Sequence, residues 1–406
     1  MTSDVAITGI GLLTPAGVGT RATWEGLRTG RSFAATDPLL EGLPVDFSCA
    51  VAGFDPYAHL DRSLVRRTDP FAHLALVAAR QAAEEAGLDG RVDPARVGVI
   101  LGVGSNSLLT YVTLSDHISS GRARLVSPLS VPRSVPNMAA GEVATHLDCR
   151  GPAFTVASAC ASGNHALGVA RDLLRSGACD VVLAGGAESG RSQITAVSFA
   201  RARALSTRRH DPAGASRPFD RDREGFVLGE GAAVLVLERP AHARARGARV
   251  RAYLAGYGAS TDAFHFAGPH PEGRGLHQAV TTALADARLD AADIDHVTAH
   301  ATGTPVGDLV EARTLRRLFP GGAPPVTALK GALGHGLGAA AAVQAACAVL
   351  SLEHQEIPPT VNLDEQDPEI DLDVVTKAPR PARLRTVLGN ACGFGGMNAV
   401  VVLRAP

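Results

Sequence analysis

The chain carries almost no net charge: Lys and Arg total 39 against 40 for Asp and Glu. No global field therefore recruits nucleic acid or an anionic membrane, and an acidic partner has to be met by a local basic patch. No basic segment precedes the first apolar run, residues 1–11, which reads directly as a strand, so a secretory leader is not expected. Uninterrupted apolar runs of membrane-spanning length are missing as well. These absences point to a cytoplasmic protein. The six cysteines, Cys49, Cys149, Cys160, Cys179, Cys347 and Cys392, lack metal-ligand spacing, so no metal site is expected. A reducing cytosol also argues against disulfides, and most of these thiols read as small buried hydrophobes.

With 406 residues, 46% hydrophobic and 19% charged, the sequence describes an ordinary globular protein, built as two domains or two closely packed halves. Short β-branched apolar runs bounded by glycine recur at 5–10, 97–103, 154–157, 181–184, 233–237 and 250–254, and again at 297–299, 387–388 and 399–403. Between many of them lie helix-period stretches at 71–86, 161–175, 276–287 and 308–318, an alternation that predicts an α/β protein with helix-covered sheets. Two further stretches, 161–174 and 336–350, are apolar all round, the mark of buried helices. One such unit in each half suggests an internal duplication around a central helical layer, with the halves at 1–250 and 251–406. The charged, Pro- and Gly-containing segments 203–224 and 319–325 read as surface excursions.

Cys160 lies in Ala157-Ser158-Ala159-Cys160-Ala161-Ser162-Gly163, between a predicted strand and the first turn of a buried helix. Unpaired backbone N–H groups and the positive end of the helix dipole favour thiolate there and can bind an oxyanion. A buried structural cysteine is the plainer alternative. His300-Ala301-Thr302-Gly303-Thr304-Pro305 places an imidazole and two hydroxyls in one tight turn, and a satisfied core histidine is as good a reading as a catalytic one. Lys330 and His335 flank a glycine-rich turn that leads into the second buried helix. The Lys-Ser or Lys-Thr ending of a phosphate-binding loop is absent, which excludes a nucleotide site of that kind. A buried ammonium must be neutralised or paired, and Glu311 is the candidate partner of Lys330. Near the C-terminus, Asn390-Ala391-Cys392-Gly393-Phe394-Gly395-Gly396 packs glycines around one aromatic ring, which permits close backbone approach to a ligand or forms an ordinary turn.

Taken in order, the Cys160 turn, His300-x-Thr302-Gly303-Thr304-Pro305, Lys330 with Gly334-His335, and Gly393-Phe394-Gly395-Gly396 resemble the β-ketoacyl carrier-protein synthases. The likeness is to the elongating ketosynthases of fatty acid synthesis and their type II polyketide relatives. It extends through Arg203-Ala204-Leu205-Ser206, Arg217-Pro218-Phe219-Asp220 and Gly225-Phe226-Val227-Leu228-Gly229-Glu230-Gly231. The resemblance implies the thiolase fold, a five-layered α-β-α-β-α sandwich of two similar halves, and a dimer paired through the strand near Phe154. It implies Cys160 as acyl-accepting nucleophile, His300 and His335 as the pair binding the malonyl thioester carbonyl, Lys330 as supporting cation and Glu311 as a buried acid beside it. Thr302 and Thr304 match the residues that hydrogen-bond the phosphopantetheine arm. Phe394 matches a gating aromatic whose N–H joins that of Cys160 in an oxyanion hole. Ser105, Asn106, Thr195, Phe199 and Cys392 fall at acyl-pocket positions. Arg62, Arg66 and Arg67 form one basic cluster and Arg203, Arg208 and Arg209 another, and local charge of this kind makes Arg66, Arg67 and Arg203 the expected contacts of an acidic carrier protein, with a solvated charged face as the plainer alternative. No cofactor is implied, because the substrates ride on the phosphopantetheine of an acyl carrier protein. The chain departs from the pattern at Ala301, at Cys392 and at Ser105-Asn106, which implies a larger or more polar pocket. Alternatives are a Cys-dependent acyltransferase without decarboxylation and a non-catalytic chain-length partner. The dimer is either homomeric or formed with a homologous subunit.

Overall fold

The structure is a computed structural model that describes residues 4–88 and 92–406. Of the strand read at 1–11, the first three residues lie outside the described residues. Ten strands carry the architecture: β1 (Val5–Thr14), β2 (Val97–Gly102), β3 (Ala153–Val156), β4 (Val181–Ser189) and β5 (Glu230–Glu238), then β6 (Ala252–Thr261), β7 (His296–Thr298), β8 (Val326–Thr327), β9 (Thr386–Gly393) and β10 (Met397–Arg404). The first five are ordered β3-β2-β4-β5-β1 and the second five β8-β7-β9-β10-β6. In each set the first three strands run parallel and the last two joins are antiparallel. The two sets therefore share one topology, and they meet where β1 pairs with β6, Val5 opposite Leu254.

Six helices complete the layers: α1 (Pro70–Ala86), α2 (Met138–His146), α3 (Ser162–Arg175), α4 (Arg274–Ala287), α5 (Pro305–Leu318) and α6 (Ala340–His354). α1 starts with proline at its first position and stops at Gly87 in the left-handed conformation, φ 62°, which only glycine adopts without strain. With α2 it covers the outer face of the first sheet, while α4 covers the outer face of the second and α5 packs on α4. α3 and α6 lie between the sheets, α3 touching β2 and β4 on one side and β6 and β10 on the other. The result is an α-β-α-β-α sandwich, the thiolase fold.

The middle layer is packed through small residues. A methyl group added at Gly163 of α3 would sit 2.5 Å from the backbone nitrogen of Ala342 in α6, so the two helices touch backbone to backbone. α6 is buried along almost its whole length. The stretch Leu337–His354 is long and apolar enough to cross a membrane, but it is enclosed by the protein's own sheets. Its one interior amide, Gln344, donates to the carbonyls of Thr298 and Asn390 at 2.6 and 3.0 Å, so it is satisfied inside the core. α3 differs from the all-apolar reading: Arg171 is buried in an ion pair with Asp286 at 2.5 Å, and Asp172 and Arg175 reach solvent in its last turn.

The segment 203–224 is a surface excursion only in part: Arg203, Arg209–Asp211, Arg221 and Asp222 are exposed. Residues 214–220 are buried, because the charges pair internally: Arg217 with Asp220 and Asp364, and Arg223 with Asp367. The segment 319–325 does lie at the surface beyond the buried Phe319. β3 is an edge strand with Phe154 exposed.

Replacing Gly163 by leucine should force α3 and α6 apart. Overpacking of this kind typically costs about 1–3 kcal/mol, and direct backbone contact puts this site at the upper end or beyond. A lowered thermal unfolding midpoint checks it; an unchanged midpoint means that the two helices are not in contact there.

Candidate active site

Residues from both halves converge on one cavity of about 240 Å³. Cys160 enters it from the turn between β3 and α3. The preceding residue, Ala159, has φ 50°, a left-handed backbone unusual for a residue with a side chain, and this strain aims the thiol away from the strand. His335 comes from the corresponding turn ahead of α6, and its Nε2 lies 3.0 Å from Cys160 Sγ. The His300 ring stands edge-on to it, centroids 5.6 Å apart at 83°.

The surrounding groups fix these rings. Lys330 Nζ donates to the His300 carbonyl at 2.5 Å. Glu311 accepts the N–H groups of His300 and Ala301 at 2.8 and 2.7 Å and the Asn390 amide at 3.0 Å. The expected Lys330–Glu311 pair is thus not a direct contact. Both groups grip the same turn from two sides, and the carboxylate acts on the ammonium through space. Phe226 stands edge-on to His335 at 5.1 Å, and Phe199 bridges Phe226 to Phe394 with centroids 5.4 and 5.9 Å apart, so a chain of rings runs from the His335 imidazole to the half-exposed Phe394.

Burial dominates the electrostatics. It holds Lys330 below its ordinary value, opposed by the negative field of Glu311. It also pushes both His300 and His335 well below theirs, reinforced by the Lys330 charge, so both imidazoles are neutral near pH 7. His335 Nδ1 has no partner in its buried site. A bare lone pair is tolerated there better than an orphaned N–H, which puts the ring proton on Nε2, facing the cavity. The Cys160 thiol is pushed up to about 11 by burial and further by Glu188, against the pull of Lys330 and of the N–H groups of Phe394 and Cys160 itself. The reading that the helix start favours a resting thiolate is corrected accordingly: desolvation outweighs it and the resting group is a thiol.

Thr302 and Thr304 line the cavity with their hydroxyls 3.0 Å apart. Ser105, Phe199 and Cys392 also line it, and the Ser105 hydroxyl has no partner. Asn106 and Thr195 do not face it. Asn106, at φ 54°, spends its amide on the Ser134 carbonyl and the Leu108 N–H, and Thr195 is tied to Ser192, which caps the helix Gln193–Arg201. Arg66 is exposed, Arg67 is engaged with Glu142 at 2.7 Å, and Arg203 is exposed next to Ala204 of the cavity wall.

Residues 2–243 match the family described as beta-ketoacyl synthase, N-terminal domain, and residues 251–364 its C-terminal domain. The chain belongs to the beta-ketoacyl synthase family. It is 41% identical to a protein of Streptomyces rimosus named an oxytetracycline polyketide beta-ketoacyl synthase, covering 99% of this chain and 97% of that one. It is 39% identical to 3-oxoacyl-[acyl-carrier-protein] synthase 2 of Rhizobium meliloti, covering 98% of each. The solved ishigamide ketosynthase/chain length factor superposes with a TM-score of 0.94 at 33% identity over the full length of both chains. As a member of this family the chain is an acyltransferase-type enzyme, a ketosynthase of fatty acid or polyketide synthesis.

Three functional positions in this beta-ketoacyl synthase escape the sequence reading. Phe226 lies in the stretch 225–231, which enters the sequence reading only as part of the resemblance, with no role given to the ring. Asp308, pushed up to about 7 by burial, accepts the N–H groups of Gly303 and Phe219 and so shapes the Thr302–Thr304 turn. Glu188 is fully buried at the end of β4. The signal for the two acids is a lone carboxylate in an otherwise apolar or glycine-rich stretch.

Lys330→Met should make Cys160 harder to ionise, because the ammonium is the largest influence favouring its thiolate. Iodoacetamide labelling at Cys160, followed by peptide mass at fixed alkaline pH, should be slower in the variant. An equal rate means that the charge does not reach the sulfur.

Proposed function

We propose that the protein condenses an acyl group held on Cys160 with a malonyl unit presented on an acyl carrier protein, releasing carbon dioxide. The 3.0 Å contact between Cys160 Sγ and His335 Nε2, with His300 in the same cavity, carries this reading. In the first half-reaction the Cys160 sulfur attacks the carrier thioester, the acyl–carrier bond breaks, and the Cys160 proton ends on the departing carrier thiol. The N–H groups of Cys160 and Phe394 hold the oxyanion of the tetrahedral intermediate. In the second, malonyl carrier loses carbon dioxide and its electron pair becomes an enolate, whose oxygen accepts from the two imidazole N–H groups. The enolate carbon then attacks the acyl-Cys160 carbonyl and the thiolate leaves. Neutral imidazoles suit this work, since each donates a hydrogen bond without being a strong acid that would quench the carbanion.

In the same reading, residues 1–250 supply the nucleophile and 251–406 the enolate-binding groups, and Thr302 and Thr304 hydrogen-bond the phosphopantetheine arm. The carrier docks against Arg66 and Arg203, while Arg67 stays with Glu142. The edge strand β3 with Phe154 is the pairing edge of a dimer, formed with a second copy or with a homologous chain-length subunit, as in the ishigamide relative's name. The enzyme works in the cytoplasm, without a cofactor of its own.

The unpartnered Ser105 hydroxyl and the small Cys392 in the cavity wall favour oxidised or unsaturated acyl chains over purely saturated ones, because a polar group there would otherwise stay unsatisfied against hydrocarbon. Ser105→Phe should block longer acyl groups while sparing short ones, measured by acyl-enzyme mass across a chain-length series. Uniform loss across the series counts against an acyl-pocket role.

Cys160→Gln should abolish self-acylation yet keep decarboxylation of malonyl carrier, and His335→Ala should do the opposite. Loss of one donor to a developing oxyanion commonly costs about 3 kcal/mol, roughly a hundredfold in rate. Acyl-enzyme mass and carbon dioxide release, measured side by side, decide it. Normal acylation of Cys160→Gln would require another nucleophile.

A further inference from the structure

Glu188 is a fully buried carboxyl group that the chemistry above does not use. One of its oxygens, Oε2, accepts three backbone N–H groups: Gly104 at 2.7 Å, Ser105 at 2.9 Å and Gly338 at 3.2 Å. The other, Oε1, is buried without a partner. The three donors come from two different places. Gly104 and Ser105 form the cavity wall after β2, whereas Gly338 belongs to the turn three residues past His335.

The junction has no slack. A methyl group at Gly338 would lie 2.2 Å from the Gly104 nitrogen and 2.9 Å from Glu188 Oε2, and one at Gly104 would lie 2.9 Å from the same oxygen and 3.3 Å from the Ala159 carbonyl. A single oxygen therefore joins the cavity wall to the turn that carries His335, and Ala159 of the Cys160 turn packs against Gly104 of that wall. We propose that Glu188 is a positioning residue for the reaction, clamping the His335 turn to the Gly104-Ser105 wall against which the Cys160 turn packs, so that the sulfur and the imidazole stay in register.

The clamp bears on the chemistry through charge as well as geometry. Burial pushes Glu188 up to about 8, against its three N–H donors, so the group is a neutral acid at neutral pH and its proton sits on the unpartnered Oε1. The groups that bear on Cys160 are His335 and Lys330 from the turn before α6, Cys392 from β9 and Glu188 from β4. Among them an ionised Glu188 opposes the thiolate and Lys330 favours it. A neutral Glu188 thus gives the fixed acceptor that the three N–H groups need without setting a negative charge beside a sulfur that must itself become negative.

The proposal rests on Cys160 as the nucleophile, and its two tests fail independently of that reading. Glu188→Leu removes the acceptor and strands three buried N–H groups; kcat for condensation should fall at least tenfold while the KM for malonyl carrier changes less than twofold. Glu188→Gln, whose amide oxygen can take the same three N–H groups, should restore most of the loss. An undiminished kcat in the leucine variant, or glutamine no better than leucine, overturns the clamp. The second test reads the thiol alone. Above pH 9, where wild-type Glu188 is ionised, iodoacetamide should alkylate Cys160 at least threefold faster in Glu188→Gln than in wild type, a change that a merely structural residue would not produce. Equal rates overturn the proposal. Should the leucine variant fail to fold, the glutamine comparison decides by itself.

Discussion

Everything at the active site depends on the close approach of α3 and α6. Because Gly163 lets the helices touch backbone to backbone, their N-terminal ends lie side by side in the middle layer. Cys160 precedes one helix and His335 the other, so a packing contact between repeats becomes a 3.0 Å contact between sulfur and imidazole. The shared strand order of the two sheets makes this a matter of symmetry: the same turn of the same unit, used twice with different side chains. One copy places a thiol at the cavity and the other an imidazole.

The same packing sets the electrostatics. The site is poorly solvated, and burial shifts its thiol, its two imidazoles and the Lys330 ammonium toward their neutral forms. The histidines lose their charge, the thiol keeps its proton, and Glu188 and Asp308 move toward neutrality. Lys330 is a buried cation behind the His300 turn, and the sequence holds only one other lysine, Lys377. Its field works against both imidazolium ions and for the thiolate. The arrangement suits a reaction whose charged species, an oxyanion and then an enolate, are transient: fixed N–H donors and one distant cation stabilise them when they form, and little of the resting site is charged.

Selectivity rests on a thinner margin. The cavity wall is mostly backbone and small side chains, with Phe199, Phe226 and Phe394 forming a jointed aromatic side. Phe394 is the half-exposed end of that chain of rings, so access from the surface passes a side chain whose backbone N–H also serves the sulfur. Entry and chemistry therefore share one residue. Ser105 brings the wall and the Glu188 junction together, since its N–H is held by the carboxyl group while its hydroxyl is left free for whatever fills the cavity.

The sequence by itself determined the class of fold, the buried middle layer and the four side chains, Cys160, His300, Lys330 and His335, that the structure brings close together. Cys160, His300, Lys330 and His335 stand in short turns of small residues whose local chemistry is read without knowing what packs nearby, and hydrophobic period fixes which stretches become buried helices. Tertiary structure decided the rest. That Lys330 reaches the His300 carbonyl rather than Glu311, that Asn106 and Thr195 turn away from the cavity to satisfy nearby groups, and that part of the charged segment 203–224 folds inward onto Asp364 and Asp367 all depend on partners that the folded chain brings together and that local pattern does not show. The thiol's resting state was misjudged from sequence for the same reason. A helix start is visible locally, but the desolvation that outweighs it is imposed by four other layers of the fold.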